Sequence, residues 1–348
     1  MREAPSRFCA GDSAIVYRLP MEVFPGFKGY AHLLLTGHVV ALVDVGSGFG
    51  SSDEDLQADM EQVKQLFGER VGWEDITHIL ITHGHIDHFG GLRPVLERTD
   101  AILVIHELDL RVLRNYEERL SLMARRLREY LVDAGVDEKG RSELMEMYLL
   151  TKQLFSSVPV DATYQTLNMR IGPIRATHVP GHCPGQVVLR VGDLLLSGDH
   201  ILETTTPHQA PERLSPYTGL GHYLDSLDKL LPWCREIRLT LGGHEAPIHD
   251  LCARILAIKG MHEGRLKATL ALLQGPKTIL EVADALFGHL EGYDELLAIE
   301  EAGAHVEYLL QHGQVRIENW RALENDSQAP MRYLQSDPPA VHARRGFA

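Results

Sequence analysis

The ten residues THGHIDHFGG, 82–91, crowd His83, His85, Asp87 and His88 into six positions directly after the apolar run ITHILI at 76–81. An apolar run of that length followed by a Gly-containing break reads as a buried strand. In a loop leaving such a strand, alternate side chains can point into one cleft, so His83 and His85 can share one cation. Asp87 and His88 follow on the next turn and can reach a second cation close by. Imidazole nitrogen and carboxylate oxygen are ligands that a borderline divalent metal accepts. One HxH pair would be weak evidence; HxHxDH at a strand end is strong. The chain must therefore fold so that a strand end opens on a cleft where other segments complete the ligand set.

Three further places offer such ligands, each at an expected strand end and beside glycine. VPGHCPGQ presents His182 between two Gly-Pro turns, LLLSGDH presents Asp199, and LTLGGHEAP presents His244. Glycine lets the backbone bend there so that a side chain projects from a sheet edge.

The rest of the chain supplies the scaffold. AIVYRLP, HLLLTG and VVALVDVGSG are short β-rich runs ended by Gly or Pro. SSDEDLQADMEQVKQLFG has a serine cap, an acidic first turn and a terminal glycine, the marks of a helix. HILITH, a short helix around LRPVLER, and AILVIH complete a β-β-β-α-β-α-β order, which predicts layered sheets flanked by helices. From 107 to 156, Leu113, Tyr116, Leu120, Met123, Leu127, Tyr130 and Leu131 recur at helical spacing, and VDAGVDEKG breaks the pattern. This is a helical hairpin inserted between strands, either a packing element or a lid over the site. Strands resume with TYQTLN, RIGPIRATHV, QVVLRV and DLLLSGD, a meander with a Gly-Asp turn between the last two. Beyond residue 254 the pattern is helical, with a break at Gly275-Pro276.

Composition narrows the partners. The 348 residues are 44% apolar and 24% charged, enough for a sizeable core without disulfides. Cys9, Cys183, Cys234 and Cys252 form no CxxC pair, so no zinc ribbon or disulfide framework is indicated. A net charge of −14 opposes extended nucleic-acid binding, which depends on neutralising phosphates. No apolar segment reaches the ~18 residues of a membrane span, and the first residues lack the apolar middle of a secretory signal. A cytoplasmic protein without a membrane partner is the expectation.

With these motifs in order, the chain resembles the metallo-β-lactamase fold superfamily of hydrolases, nearest the glyoxalase II type. Asp44 in VDVG matches the structural aspartate of the family's first motif. His83, His85 and His182 match the ligands of metal one. Asp87, His88 and His244 match those of metal two, and Asp199 matches the carboxylate that bridges both. The resemblance implies an α+β fold, an αββα four-layer sandwich with the site at one edge between the sheets. It places the catalytic domain at 1–253, with the helical insertion at about 107–156. GMHEGRLKATLALLQGPKTILEVADALF is similar to a winged-helix tail attached to one branch of these hydrolases, giving a helical winged-helix-like domain at 254–325. The polar stretch 326–348 is expected to be a flexible tail. Two departures from the family pattern stand out: GHCPGQ for GHTPGH, and GHEAP for GHG, which put Cys183, Gln186 and Glu245 beside ligands. Asp199, where true β-lactamases place Cys, argues against that activity. The full ligand set argues against the mononuclear iron dioxygenases, and the lack of a flavodoxin-like region against the di-iron flavoproteins.

The resemblance implies a binuclear metal-dependent hydrolase. Two divalent ions, zinc first and iron or manganese as alternatives, would hold a bridging hydroxide that attacks an acyl bond in a thioester or lactone. Asp87 is the candidate to orient that hydroxide and pass a proton to the leaving group. The runner-up is a phosphodiesterase or ribonuclease, favoured by the tail and opposed by the acidic balance. A third reading is a ligand- or partner-binding protein that retains the metal site. His200, His208 and Tyr223 are candidates to line a substrate pocket. Tyr217 is a weaker one, and Cys183, His78 and His178 are read as bystanders or structural. The expected partners are a small acyl substrate and a second copy of the chain.

Overall fold

The computed structural model describes residues 2–11, 14–152 and 155–337. Its first sheet has seven strands in sequence order: β1 (Ser6–Ala10), β2 (Ala14–Phe24), β3 (Phe27–Leu35), β4 (Val40–Val43), β5 (His78–Leu80), β6 (Ile102–Ile105) and β7 (Ala162–Thr163). The first four pair antiparallel and the last four parallel. The second sheet contains β8 (Arg170–Ile171), β9 (Ile174–His178), β10 (Val187–Val191), β11 (Leu194–Gly198) and β12 (Leu239–Gly242), in the order β12-β11-β10-β9-β8. The expected meander is present as β8–β11, and Gly192 takes the left-handed conformation that its turn requires.

Alternation along the strands builds four layers. In the first sheet Val16, Leu34, Ala41, Leu80 and Val104 point inward and meet Ala176, Leu189, Leu196 and Leu241 of the second. Their neighbours Tyr17, Leu33, Leu42, Ile79 and Leu103 point outward. They pack under helix α1 (Ser52–Phe67), through Leu56, Met60 and Val63, and under α2 (Ile86–Phe89) and α3 (Leu92–Leu96). Because both faces of the first sheet are covered, its central strands read as continuous apolar runs rather than alternating ones. The outer face of the second sheet, with Val188 and Leu195, packs against α7 (Leu220–Leu230) and the first half of α8 (Leu251–Leu272). This is the αββα sandwich.

Between β6 and β7 the expected insertion forms α4 (Leu110–Arg114), α5 (Tyr116–Ala134) and α6 (Glu138–Lys152). After α8 come α9 (Ile279–Phe287), α10 (Tyr293–Gln311), a two-stranded ribbon of β13 (Val315–Ile317) and β14 (Tyr333–Gln335), and α11 (Trp320–Leu323) between its strands. Thr278 and Glu281 close a reciprocal cap at the start of α9. Leu127, Tyr130 and Leu131 of the insertion share one apolar core with Val282, Ile299, Val306, Val315 and Tyr333. The insertion thus packs against the carboxyl-terminal helices.

Three expectations are corrected. The first sheet begins with an extra strand, β1, and β2 extends through Phe24 into a hairpin with β3 at Pro25-Gly26. TYQTLN is not a strand: only Thr163 belongs to β7, and Asn168 and Met169 adopt positive φ in a turn closed from Met169 N–H to the Tyr164 carbonyl. The stretch from 326 is not loose throughout, because Tyr333–Gln335 pairs with β13 and Tyr333 also bonds Lys277. Residues 338–348 lie outside the described residues.

Candidate metal centre

All the proposed ligands converge at one edge of the sandwich. His83 and His85 leave β5, Asp87 and His88 lie on α2, and His182 sits in the loop between β9 and β10. Asp199 follows β11 and His244 follows β12. A main-chain hydrogen bond from Val187 N–H to the Thr82 carbonyl, 2.9 Å, staples the two sheets beside the site. The donors divide into two adjoining clusters. His83, His85 and His182 each offer a ligand atom within 4.8 Å of the others, and so do Asp87, His88, Asp199 and His244. The His83 and His88 rings lie 4.1 Å apart, so the clusters touch.

The atoms facing the two centres lack partners. His83 Nε2, His88 Nε2, His182 Nε2, His244 Nε2 and Asp199 Oδ1 are buried without a hydrogen bond. His88 Nε2 lies 3.4 Å from Asp199 Oδ1, and His244 Nε2 lies 3.2 Å from Asp87 Oδ2 and 3.3 Å from Asp199 Oδ2. These contacts are close but unaligned. That is the spacing of donors aimed at a common point between them, not at one another. Buried polar groups otherwise find partners. Nitrogen and carboxylate donors of this kind fit divalent metal ions.

The opposite edge of four of these rings is engaged. His88 Nδ1 lies 2.8 Å from Asp44 Oδ2, and His83 Nδ1 3.0 Å from Thr82 Oγ1. Nδ1 of His182 donates to the His208 carbonyl (2.7 Å), and Nδ1 of His244 to the Lys28 carbonyl (2.6 Å). Asp44 also accepts from Thr82 N–H and Thr82 Oγ1, each at 2.8 Å. With a proton fixed on Nδ1, Nε2 is the nitrogen that each ring would present to a metal ion. Asp44 achieves this from a left-handed conformation, φ 57°, which Asp tolerates better than most residues.

Charge in the second cluster follows its carboxylates. Burial opposes a charge on His88, yet Asp199, Asp44 and Asp87 hold its imidazole well above the ordinary range. His244 is likewise raised to about 10 against burial, chiefly by Asp199. Burial would raise Asp87 and Asp199, but the facing imidazoles keep both carboxyls below their usual range. His83 and His182 are pushed down by burial. The second cluster is a place where positive charge is required.

Several expected residues stand elsewhere. Tyr223 and His200 are fully buried rather than lining a pocket, and the Tyr223 hydroxyl donates to the His200 carbonyl at 2.9 Å. His208 acts on the site through its carbonyl, while its ring contacts the Leu297 carbonyl at 3.2 Å. Tyr217 is exposed beside His222. His178 stacks on His106 at 4.0 Å and holds the Pro184 carbonyl, supporting the His182 loop. Glu245 grips Thr204 and Thr205 backbone N–H groups and so ties down the segment after β11. At the rim, the exposed Phe27 ring covers His244 at 4.5 Å.

Asp109 is a structural contributor that no motif announced. Fully buried, it accepts from Gly84 N–H at 2.9 Å. A Cβ on Gly185 would come within 2.6 Å of its carboxyl carbon. Asp109 therefore wedges together the loops that carry His83, His85 and His182. A third group of donors, His262, Glu301 and His305, lies buried among α8 and α10. His305 Nδ1 donates to the Glu301 carbonyl (2.7 Å), so its Nε2 accepts from His262 Nδ1 (3.1 Å), leaving His262 Nε2 as the bare acceptor. Arg265 already pairs with the Glu301 carboxylate. With a guanidinium supplying the positive charge, this group works as a lock between helices.

Residues 25–250 match the family model described as the Metallo-beta-lactamase superfamily. A probable metallo-hydrolase of Bacillus subtilis (strain 168), YqjP, is 26% identical over 300 residues, covering 79% of this chain and 86% of that protein. The crystal structure of a metallo-beta-lactamase family protein from Thermus thermophilus superposes with a TM-score of 0.71 at 27% identity. That match covers 92% of this chain and 98% of the other. A beta-lactamase domain protein from Burkholderia ambifaria shares the fold at a TM-score of 0.70 and 21% identity, with 95% and 94% covered. No helix among the described residues is long and apolar enough to cross a membrane.

Proposed function

From the premise that the chain belongs to the metallo-β-lactamase superfamily, we propose that it is a metal-dependent hydrolase with a binuclear centre acting on an acyl bond, a thioester or a lactone. One observation carries the reading: two adjoining sets of buried donors end in unpartnered Nε2 and carboxylate atoms, with imidazole Nδ1 edges behind them already engaged. His83, His85 and His182 would hold one ion. Asp87, His88 and His244 would hold the other, and Asp199 would touch both. When bound, two divalent ions supply a water nucleophile with a pKa near neutrality and a Lewis acid for the carbonyl oxygen. Zinc is the first candidate, with iron and manganese compatible with the same donors.

The chain's own residues do the rest. Asp87 is anionic beside His244 and His88, so its carboxylate can accept a hydrogen bond from the attacking water and hold that water in line with the carbonyl carbon. As the water adds to the carbonyl carbon, Asp87 would take its proton, and it would then give that proton to the leaving sulfur or oxygen as the C–S or C–O bond breaks. Phe27, lying over His244 at the rim, offers an apolar surface to an acyl group. Glu300 stands 3.5 Å from the His208 ring, whose residue bonds His182 through its carbonyl. This carboxylate, together with the net charge of −14, favours uncharged esters over polyanionic phosphodiesters. The helices after residue 254, proposed as a winged-helix-like module, favour the nuclease alternative, and the acidic balance of the chain opposes it.

The test combines metal analysis of the purified chain with a panel of thioesters, lactones and phosphodiesters. Asp87→Asn should retain part of its metal and lose about 10²- to 10⁴-fold in turnover, the range of a positioned acid–base group. Full metal with full turnover in that variant would refute the role. Phosphodiester turnover together with RNA binding that falls steeply with salt would point to the nuclease reading instead.

A further inference from the structure

The loop after β11 connects the candidate metal centre to α10, and the connections run through backbone atoms of consecutive residues. Pro207, His208 and Gln209 are partly or fully buried there. The His208 carbonyl accepts from His182 Nδ1 at 2.7 Å, the bond that fixes which nitrogen of His182 faces the three-histidine cluster. The next N–H in the chain, Gln209 N–H, donates to Glu301 Oε2 of α10 at 2.7 Å. The carbonyl and that N–H belong to one peptide unit, which is planar and rigid. A grip on the N–H is therefore a grip on the carbonyl. Farther along the same loop, Glu212 N–H and Arg213 N–H donate to Glu307, farther along α10, at 2.6 and 3.2 Å.

Glu301 is itself held in place. Its Oε1 pairs with Arg265 of α8, and its main-chain carbonyl accepts from His305, which meets His262 of α8. Glu301 and His262 are buried, so this is interior structure and not a surface contact. A buried carboxylate needs donors on both oxygens, and here one is a side chain while the other is the peptide that orients a metal ligand.

We propose that Glu301 is a positioning residue for the metal centre: by holding the His208–Gln209 peptide, it keeps the His208 carbonyl on His182 Nδ1 and so presents His182 Nε2 to the ion of the three-histidine cluster. The inference rests on the metal-centre reading above and adds a contribution from the carboxyl-terminal helices to it. It assigns those helices a part in ligand orientation, the kind of outer contact whose loss costs about 10- to 100-fold in metal affinity. Among the described ligand candidates, His182 is the one whose ring bonds this peptide, so the effect falls chiefly on the three-histidine cluster.

The experiment uses the full chain, stripped of metal and titrated with Zn²⁺ against a chromophoric chelator. His182→Ala identifies which binding constant belongs to the three-histidine cluster. Glu301→Ala should weaken that constant about 10- to 100-fold and leave the other within about twofold. Glu301→Gln combined with Arg265→Met keeps an amide oxygen for Gln209 N–H and removes the guanidinium that the amide nitrogen would otherwise face, and it should restore most of the loss. If Glu301→Ala fails to fold, the double variant Glu301→Met/Arg265→Met removes both buried charges together and should show the same selective loss. A folded variant with both constants unchanged overturns the inference, and so does an equal weakening of both, which would mark general loosening. A wild-type chain with no His182-dependent constant would instead show that the metal-centre reading itself has failed.

Discussion

Asp44→Asn changes one functional group and should disturb the centre through a residue that faces neither ion cluster directly. The backbone is not at issue, because Asn accepts the left-handed conformation at φ 57° as readily as Asp. The carboxylate presently takes three buried hydrogen bonds, from Thr82 N–H, Thr82 Oγ1 and His88 Nδ1, all at 2.8 Å. A carboxamide presents oxygen on one side only. With nitrogen toward His88, two donors lose their acceptor; with nitrogen toward the Thr82 backbone, one does. In either orientation the negative charge behind His88 disappears. Hydrogen bonds to a charged group contribute about 1.5–3 kcal/mol each. Losing one such support behind a metal-binding histidine corresponds to about 10- to 100-fold in affinity, or about 1.4–2.8 kcal/mol at 1.4 kcal/mol per tenfold. We expect that loss at the Asp87–His88–Asp199–His244 cluster, read by chelator competition on a chain whose circular dichroism matches wild type. Thr82→Val, nearly isosteric, removes the hydroxyl behind His83 and should place a loss of the same order on the three-histidine cluster. Wild-type Zn²⁺ affinity at both sites in a folded Asp44→Asn protein would refute the reasoning.

Two further outcomes follow from the same geometry. A Cβ on Gly243 would stand 2.5 Å from both Asp199 Oδ1 and His88 Cε1, so Gly243→Ala should abolish stoichiometric metal binding at the second cluster, and normal metal content by elemental analysis would contradict the packing described. Burial lowers His262 to about 3 and His305 to about 4, against about 6.5 in an unfolded chain. Both are bases with depressed folded-state values, so their contribution is fully present above pH 6.5. It is lost as pH falls toward 4, because the unfolded chain then binds the extra protons, at about 1.4 kcal/mol per pH unit for each group. Glu301 beside them is raised to about 7 by burial and works in the opposite sense over the same range. Urea unfolding between pH 7 and 5 therefore reads the two histidines less this one group. His305→Gln should lower the loss of stability by about one such increment relative to wild type; an unchanged difference would count against the buried pair.

The convergence of these donors was legible in the sequence because each is tied to a backbone event that leaves a mark. HxHxDH follows a buried strand, and His182, Asp199 and His244 sit beside glycines that the structure shows in tight approach. The sandwich was legible for a related reason: a strand covered on both faces, such as the β4 run, is apolar at every position. What surrounds the ligands was much less so. Asp109 lies 24 residues after His85 and is aimed at backbone N–H groups, which any loop possesses, so no spacing could select it from the other acids. Tyr223 reads from the sequence either as a pocket residue or as core, and the structure gives the second: on α7 it occupies the buried stripe with Leu220, Leu227 and Leu230, and its hydroxyl is satisfied by a carbonyl. TYQTLN has strand-like composition, yet the tertiary contacts of Tyr164, which is fully buried, fold it into a turn.

The division between legible and hidden residues follows the kind of partner each one has. A metal ligand must be His, Asp or a similar donor whatever the rest of the chain does, so its identity is fixed by chemistry and survives in the sequence as a motif. A residue that orients a ligand through a main-chain carbonyl or N–H has a partner present at nearly every position, and only the fold decides which one is used. Glu301 is the extreme case: it sits 119 residues after His182, on a helix whose pattern predicts nothing beyond an amphipathic face. Lys28 and His208 enter the site in the same hidden way. Each contributes only a carbonyl to a histidine, and a carbonyl carries no residue type that reading the sequence could have selected.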